Sequence, residues 1–507
     1  MLTHRLCARG VPLRRLPRST ALAPVFMSKR FSSNVSSVPI QFSYALSKFA
    51  KDPVQRMFDD LGSIPLLRYT SQHDAALVLA TPEFAKMVYD KDFVQSLTKT
   101  LAGSGNVESF SLLCGVVDHI APTVGSYSPT PGISVLRSHQ NHILPYMWQP
   151  ESQLSESDAD TVSALSFSLG NRLLSLPLAR TTFHNSRAST LVASKLGCSG
   201  STPSLDQQVD RRSQHAFLPI QADQFDTTRL WAPLVPLTAR RALKESFGNI
   251  IRTIDVDGQT IPASIELESV VNTLYSQGNS AKLSPGGEGV WALVVPPADS
   301  NTLEAATSPG SILEDNSDMQ MLALATMEYV QDAYTSGGRL YKILSGGGGW
   351  GAKKGLLSLD PQISHFAFTE EEELQRFMRT MENSGFAAPG STIQFLMSMA
   401  HPPPMAEGSL PSFVFGVPGQ DVESPEVSEP GEERCFIGGH FGALSSEGVF
   451  IAPLEKAETL PDGLPEEMKL SVPNSRVYIA NEKEGMSTLG KVAAGSVADA
   501  GFLAMLL

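Results

Sequence analysis

The sequence predicts the fold class α/β or α+β, multidomain, with mixed sheets and flanking helices. Short apolar runs, typical of buried strands, alternate along the chain with segments whose apolar residues recur at helical spacing. The 507 residues exceed the length that one hydrophobic core normally covers, which favours two or three domains. The sequence contains no internal repeat of about 20 to 50 residues, so a solenoid or propeller is not predicted.

The first predicted elements form a βα-type unit. Residues 75–81, AALVLAT, are a continuous apolar run of the kind found in strands covered on both faces. Residues 82–103 carry apolar side chains near helical spacing, and Gly103 predicts the end of that helix. A second apolar run, SFSLLCGVVDHI at 109–120, predicts the next strand of the unit.

Later segments repeat this alternation. Asp-Gly at 257–258, between alternating residues of 249–264, is a hairpin signal. A helix at 369–385 is expected to begin at Thr369, with acids in its first turn. Periodicity further predicts a helix at 265–276, a strand at 289–297, a helix at 318–338, a strand at 355–360 and two strands within 433–454 joined by the turn SSEG.

Composition breaks divide the chain. Residues 198–226 and 296–318 lack periodicity and are predicted to be loops, and residues 420–433 carry six acids in a Pro-containing stretch. The resulting prediction is a presequence at 1–37, an N-terminal α/β domain at 38–197, a loop-rich connector at 198–235, a central α/β domain with a Gly-rich loop at 236–400, an acidic Pro-rich linker at 401–433 and a C-terminal β-hairpin segment completing a domain at 434–507.

The amino end predicts a destination. Residues 1–51 contain nine Arg or Lys and no Asp or Glu, a composition typical of mitochondrial presequences. A secretory signal is excluded because Arg and Pro residues at 14–18 interrupt the apolar run; a disordered basic tail is the alternative. Processing is expected near Arg30. Removal of the seven basic residues of 1–37 takes the formal charge from −13 to −20, so we expect a soluble, acidic protein of the mitochondrial matrix.

Charge and cysteine usage exclude several classes. A strongly acidic protein is poorly suited to nucleic-acid phosphates, and no apolar run after the presequence is long enough to span a membrane. The four cysteines never form a CxxC pair, which argues against a disulfide scaffold or a zinc ribbon. His139 and His142 have a spacing of three but no nearby acidic or cysteine partner, so no metal site is predicted. The sequence identifies no cofactor and no protein partner.

The strongest candidate for a binding site is the Gly-rich loop (residues 346–354). Its glycines can gather several backbone N–H groups into one concavity, two lysines add positive charge, and a tryptophan can stack on a flat ligand. The alternative is structural, a sharp turn whose tryptophan seals a core edge. The candidate ligand-binding residues of this loop are Gly346, Gly347, Gly348, Gly349, Trp350, Gly351, Lys353 and Lys354.

Known phosphate motifs do not fit this loop. A P-loop requires Lys and then Ser or Thr after its last glycine, whereas Ala352 and Lys353 follow Gly351. The pattern G-x-G-x-x-G matches at 346–351, but that fingerprint must follow a strand and open a helix. The predicted order here is a helix before the loop and a strand after it, so dinucleotide binding is not expected.

Four further residues are weaker ligand-binding candidates. Asp360 stands at a predicted strand end, although Asp-Pro is also an ordinary turn opener. Gly438 and Gly439 allow a ligand or another backbone to come close, and His440 follows them either as a ligand contact or as a structural histidine. No G-x-S-x-G elbow is present, and no catalytic signature is found.

Several of these segments resemble the FIST sensory domains. The likeness rests on AALVLAT and its helix, on the strand LLCGVVDHI and on the late hairpin CFIGGHFGALSSEGVFI, with the two halves at about 75–137 and 396–454. The resemblance implies sensing of small, amino-acid-like molecules and a signalling or adaptor role, and it carries over no catalytic residue.

Three functions therefore remain open. The leading prediction is a matrix protein that binds a small anionic ligand in a sensory or regulatory role. The alternatives are an enzyme that uses the same Gly-rich cleft and a structural factor of a mitochondrial assembly.

Overall fold

A computed structural model shows the fold of much of the chain. It describes residues 38–46, 50–64, 67, 72–103, 107–121, 131–150, 162–169, 172–199, 202–220, 228–276, 289–297, 309–312, 319–346, 355–360, 390–399, 412–419, 436–453 and 468–479. All of these belong to one compact unit, Ser37–Leu507. The presequence and the predicted helix at 369–385 lie outside the described residues.

Strands dominate the described part of the chain. They are β1 Ile40–Ala45, β2 Ala75–Ala80, β3 Ser109–Val116, β4 His119–Ile120, β5 Gly132–Ser138, β6 Ala164–Leu169, β7 Arg172–Pro177, β8 Leu191–Gly197, β9 Ser204–Asp210, β10 Ser213–Phe217, β11 Thr228–Trp231, β12 Leu234–Pro236, β13 Arg241–Phe247, β14 Ile250–Val256, β15 Gln259–Pro262, β16 Val290–Val295, β17 Arg339–Gly346, β18 Leu357–Leu359, β19 Thr392–Ser398, β20 Phe413–Gly416, β21 Phe436–Gly438, β22 Phe441–Leu444, β23 Val449–Pro453, β24 Met468–Leu470 and β25 Arg476–Ile479.

Helices flank these strands. They are α1 Pro53–Ser63, α2 Lys91–Ala102, α3 Gln140–Ile143, α4 Thr182–Asn185, α5 Ala263–Ser276 and α6 Met319–Thr335. None of the helices in the described part of the chain is long and apolar enough to cross a membrane.

A seven-stranded sheet has the order β21-β1-β5-β2-β3-β8-β9. Strands β2 and β3 are parallel and joined through α2, which confirms the predicted βα-type unit; the other pairs are antiparallel. Both faces are covered: Ala76 and Val78 pack in a core with α1 and α2, whereas Leu77 and Leu79 enter a second core. This double burial explains why β2 is apolar throughout.

The helix predicted at 82–103 is shorter than expected. Its first part forms two 3-10 turns, Pro82–Phe84 and Met87–Tyr89, and α2 begins only after Asp90. The Asp90 backbone is extended, and its carboxylate accepts hydrogen bonds from two amides of the first helical turn. An N-cap of this kind starts a new helix, which the apolar spacing alone did not reveal. Gly103 ends the helix as predicted, with φ 64°.

Two five-stranded sheets pack with Leu77 and Leu79 in this second core, which we call the shared core. Their orders are β10-β6-β7-β23-β24 and β11-β25-β20-β22-β4, and each contains one parallel pair. The turn SSEG joins two strands, as predicted, but β22 and β23 belong to different sheets, so the predicted C-terminal hairpin is wrong. The predicted single strand at 109–120 is also split, since β4 pairs with β22 and not with the sheet that contains β3. Apolar runs mark strands but do not show where the chain crosses between sheets.

Six of the eight remaining strands close a barrel, and β12 and β15 pair with β19 and β14 outside the closed ring. Strands β19, β13, β14, β18, β17 and β16 are paired in that order, all antiparallel, and β16 pairs again with β19. Alternation along β16 separates two environments: Ala292 and Val294 lie in a core with α5 and part of α6, whereas Trp291 and Leu293 lie in the shared core. The barrel therefore has a core of its own and a face buried against the sheets.

The predicted fold class is confirmed: mixed α/β content, several mixed sheets, flanking helices and more than one core. The hairpin at Asp257-Gly258 is also confirmed, and both residues have positive φ, 52° and 85°, as a two-residue turn of type I′ requires. The loop predicted at 198–226 is wrong, because β9 and β10 lie within it. Strand β9 is a largely exposed edge, so it shows no apolar periodicity.

Candidate functional site

The Gly-rich loop joins two paired strands of the barrel. Strand β17 ends at Gly346, which pairs with Leu357 of β18, so residues 347–356 form the connection of a hairpin. Gly347, Gly348, Gly349, Trp350, Gly351, Lys353 and Lys354 lie outside the described residues.

The order of elements around the loop differs from the prediction. A helix was expected directly before the loop, but β17 lies between α6 and the loop. The G-x-G-x-x-G match therefore does follow a strand. The next element among the described residues is strand β18, so the described part of the chain shows no helix N-terminus after the fingerprint that would bind a pyrophosphate.

Gly355, the residue directly after the Gly-rich loop, lies close to the start of α5. Gly355 has φ +94°, and a Cβ atom there would stand 3.0 Å from Cβ of Pro262, the last residue of β15. Helix α5 begins at the next residue and runs for 14 residues. The carboxylate of Glu266 in its first turn accepts from Arg241 Nε at 3.2 Å and Nη2 at 3.0 Å, so this acid is balanced by a cation.

Asp360 stands at the opposite end of β18 from Leu357, the partner of Gly346. Its N–H donates to the carbonyl of Lys342 at 2.8 Å. Three residues of extended strand, about 10 Å, lie between the two ends of β18. Next to Asp360, the Asn249 side chain donates to the carbonyl of Leu359 at 2.8 Å, so this end of the strand adjoins the β13–β14 turn.

Gly438, Gly439 and His440 lie in the sheets and not in the barrel. Gly438 ends β21 and pairs with Phe42, and Gly439 turns the chain with φ +71°. Both backbone groups of Gly439 are hydrogen-bonded to Gln41: its N–H donates to the Gln41 carbonyl at 2.8 Å, and its carbonyl accepts from Gln41 Nε2 at 2.9 Å. The Gly439 backbone therefore stabilises the turn between β21 and β22, which lie in different sheets.

His440 belongs to a buried hydrogen-bonded cluster with Ser43 and Ser134. Its Nδ1 lies 2.8 Å from Ser43 Oγ, which lies 2.9 Å from Ser134 Oγ, and the Gly442 N–H donates to Ser134 Oγ at 3.0 Å. All three side chains have no exposed area. A Cβ on Gly442 would stand 1.9 Å from the carbonyl oxygen of Val414, so glycine is needed for β22 to pair with β20. The cluster thus joins the seven-stranded sheet to a five-stranded sheet.

This cluster is not arranged for nucleophilic catalysis. Burial lowers the pKa of His440 to about 3, so the imidazole is neutral and a weak base. Its Nε2 has no hydrogen-bond partner among the described residues, whereas a catalytic imidazole is oriented by a carboxylate. A substrate also cannot reach Ser43 while the side chain is fully enclosed.

A second serine–histidine pair also contains a histidine that is a weak base. Ser168 Oγ lies 3.0 Å from His215 Nε2 on the parallel strands β6 and β10. Burial lowers the pKa of His215 to about 4, and its ring packs edge-on against Phe217 with centroids 4.5 Å apart. Neither pair supports a hydrolase.

The histidines predicted not to bind metal lie close together. The rings of His139 and His142 are 5.3 Å apart, and the ring of His73 is 5.5 Å from that of His139, both edge to face. Within the part of the chain that the structure describes, no three His, Cys, Asp or Glu side chains are arranged to hold a metal ion.

Sequence reasoning missed Ser43 and Ser134, and it missed a surface cleft beside Trp148. The two serines are 91 residues apart and 397 and 306 residues from His440, and single serines carry no local signal. The cleft was missed because one wall is β9, which lies in the segment predicted to be a loop.

Comparisons of the chain with protein-family models, with curated proteins and with solved structures gave no match. The resemblance to the FIST sensory domains therefore stays a prediction.

Proposed function

We propose that this chain is a mitochondrial matrix protein that binds a small anionic ligand at the Gly-rich loop, in a sensory or regulatory role. The observation that carries the proposal is the length of the connection between β17 and β18. Ten residues, 347–356, join two strands that are hydrogen-bonded to each other. Hairpin connections usually need only about two to five residues.

The structural alternative explains less of this segment. Reversing the chain requires two residues, and each additional glycine raises the entropy lost on folding. A tryptophan and two lysines within the same ten residues add chemistry that a turn does not need. Long loops on a rigid scaffold are where proteins place binding residues, and the mouths of barrels are frequent ligand sites.

The surroundings of the loop favour an anion. Lys353 and Lys354 bring two positive charges, and the loop leads into Gly355, which contacts the residue before α5. The N-terminus of a helix of 14 residues carries a partial positive charge. Because Glu266 in its first turn is paired with Arg241, that carboxylate is not left to repel an anion.

A sensory or regulatory role accounts for the site better than catalysis does. Of the two serine–histidine pairs among the described residues, Ser43–His440 is fully buried and Ser168–His215 is partly buried, and burial lowers the pKa of both histidines, which makes them weak bases. The resemblance to FIST domains also implies a sensory role. The acid-free amino end supports the mitochondrial address.

Thermal unfolding of the full chain tests the proposal. Adenosine diphosphate, inorganic pyrophosphate and an acyl-coenzyme A should be compared with neutral adenosine, and an anionic ligand is expected to raise Tm. Replacing Gly348 by Val together with Lys353 by Met should abolish the rise. Lys99→Met, which removes an exposed lysine from α2, is the matched control and should leave it intact. No rise with any of the anions, or a rise that survives the double substitution, would count against the loop.

A further inference from the structure

The seven-stranded sheet ends in an open edge at β9. Strand β9 pairs with β8 on its inner side, and no other described strand pairs with its outer side. The pairing is regular from Gln207 to Asp210, whereas a bulge leaves Asp206 without a partner in the register. Most residues of β9 are exposed. An edge of this kind can accept one more strand through its free backbone N–H and C=O groups.

One face of β9 is fixed against the turn that precedes α2. Gln208 Nε2 donates to the carbonyl of Val88 at 3.1 Å, and Tyr89 Oη donates to Asp210 Oδ1 at 2.7 Å. Asp210 also forms an ion pair with Arg187. These contacts hold the edge in its extended conformation before any partner arrives, which lowers the entropy lost on binding.

The other face of β9 borders an apolar cleft. The cleft has a volume of ≈ 310 Å³ and lies between β9 and the segment after α3. Trp148 and Pro150 line it from that segment, and Gln207 and Val209 line it from β9. This volume is at the lower end of the range of small-molecule pockets, so it suits one large side chain better than a whole cofactor.

The indole of Trp148 is held over this face of the sheet. Its Nε1–H donates to Ser111 Oγ at 3.3 Å, and Ser111 Oγ donates to Gln140 Oε1 at 2.7 Å. Ser111 of β3 and Gln207 of β9 stand in one row, since both pair with Lys195 of β8. Residues in one row point to the same face, so the polar edge of the indole is bonded to the sheet and its ring is left to line the cleft.

Charge decides which kind of strand fits the edge. The Asp206 carboxylate accepts from Ser204 Oγ at 3.1 Å and has no cation partner among the described residues. A second copy of the chain would bring two such carboxylates into one ribbon, and like charges on paired strands destabilise a sheet. A strand that carries a basic residue would instead pair with Asp206.

We propose that the β9 edge binds an extended segment of a partner protein that contains a large apolar side chain and a basic residue. The segment adds to β9 as an eighth strand, its apolar side chain enters the cleft beside Trp148, and its base lies near Asp206. Main-chain hydrogen bonds supply the affinity and the cleft supplies the specificity, as in other cases of strand addition. The edge belongs to the seven-stranded sheet and not to the barrel, so this proposal does not depend on the Gly-rich loop.

The capped peptide acetyl-TVTFTK-amide serves as the probe for the full chain. The chain carries four tryptophans, so 5-fluorotryptophan labelling gives four ¹⁹F resonances, and Trp148→Phe identifies that of Trp148. The peptide is expected to shift this resonance saturably, and replacing its phenylalanine by serine should weaken binding about tenfold or more. A Trp148 resonance that does not move at about 1 mM peptide, or equal binding of the serine peptide, would overturn the proposal.

N-methylation of the peptide tests strand addition directly. An added strand turns every second amide toward β9, so methylating one alternate set of amides should weaken binding about tenfold or more. Methylating the other set should change binding less than about threefold, because those amides face away from β9. Equal losses from both sets would show a contact that is not strand pairing and would refute the proposal.

The charge requirement has a matched pair of variants. A peptide with glutamate in place of its lysine should bind about fivefold more weakly or worse, and Asp206→Asn should reduce this difference to less than about twofold. Asp257→Asn, which removes an exposed acid from the barrel hairpin, should leave the difference intact. If a second copy occupies the edge instead, sedimentation velocity will show a dimer of the free chain that does not bind the peptide, and the proposal is then wrong.

Discussion

Acidification from pH 7.5 to pH 5 should destabilise this protein strongly, because three histidines are held neutral in the fold. Burial lowers the pKa of His73 to about 4, assisted by the charge of Arg137, and burial alone lowers that of His215 to about 4 and that of His440 to about 3. Unfolded histidines titrate near 6.5. Between pH 6.5 and 4 the unfolded chain therefore binds more protons than the folded chain, so stability falls as the pH falls and is recovered above pH 6.5.

The magnitude follows from these values. A histidine that titrates near 6.5 when unfolded and near 4 when folded loses about 2 kcal/mol between neutral pH and pH 5. Three such groups sum to roughly 6 kcal/mol, against the roughly 5 to 15 kcal/mol by which whole domains are stable. Hydrogen bonds from Lys244 and Gly258 also lower the pKa of Asp255, but the stability that this contributes is lost only below about pH 4, outside this range.

Urea unfolding followed by circular dichroism from pH 8 to pH 5 measures this dependence. His73→Leu should remove about a third of this pH dependence, because His73 is one of the three histidines held neutral. The substitution costs no hydrogen bond among the described residues, since neither ring nitrogen of His73 has a partner there. Met147→Leu, also fully buried but not titratable, is the control and should leave the pH dependence unchanged. A midpoint that stays constant down to pH 5, or a His73→Leu curve parallel to the wild type, would refute the reasoning.

Other substitutions probe the packing. Gly442→Ala should destabilise the fold by about 3 kcal/mol or more, because its Cβ would stand 1.9 Å from a backbone oxygen. Gly62→Ala in α1, where a Cβ would meet nothing within 4 Å, should stabilise the fold by about 0.5 to 1 kcal/mol. A urea midpoint for Gly442→Ala that is not lower than that for Gly62→Ala would contradict this. Gly258→Val should cost about 1 kcal/mol or more at φ +85°, whereas Gly258→Asn should be tolerated, as thermal unfolding can show. Burial raises the pKa of the Cys114 thiol to about 12, so iodoacetamide should label the half-buried Cys198 first, and mass spectrometry that finds the reverse order would be inconsistent with the fold.

The elements that the sequence revealed are those with strong local signals. Strands β2 and β16 are buried on both faces and so appear as apolar runs, and the Asp257-Gly258 turn has a conformation that few other residue pairs adopt. Strands β9 and β10 were missed because both are sheet edges: β9 is largely exposed, and the buried positions of β10 are Gln214 and Ala216, which give little apolar signal.

The candidate sites were harder to predict because they are assembled across the chain. The Gly-rich loop is identified as a hairpin connection because Gly346 of β17 pairs with Leu357 of β18. The sequence reveals neither this pairing nor strand β17. His440 and Ser43 meet across 397 residues. Trp148 and Arg211 reach one cleft only because β9 runs along the edge of its sheet.

The most direct test of the central proposal observes the glycine amides of the loop. Selective ¹⁵N-glycine labelling of the full chain gives resonances that Gly-to-Ala substitutions within 347–351 can assign. On titration with adenosine diphosphate, we expect the shifts to be largest for Gly347, Gly348 and Gly349 and to saturate. Resonances of these three glycines that stay in place while others move, or no movement with any anionic ligand, would contradict the proposal.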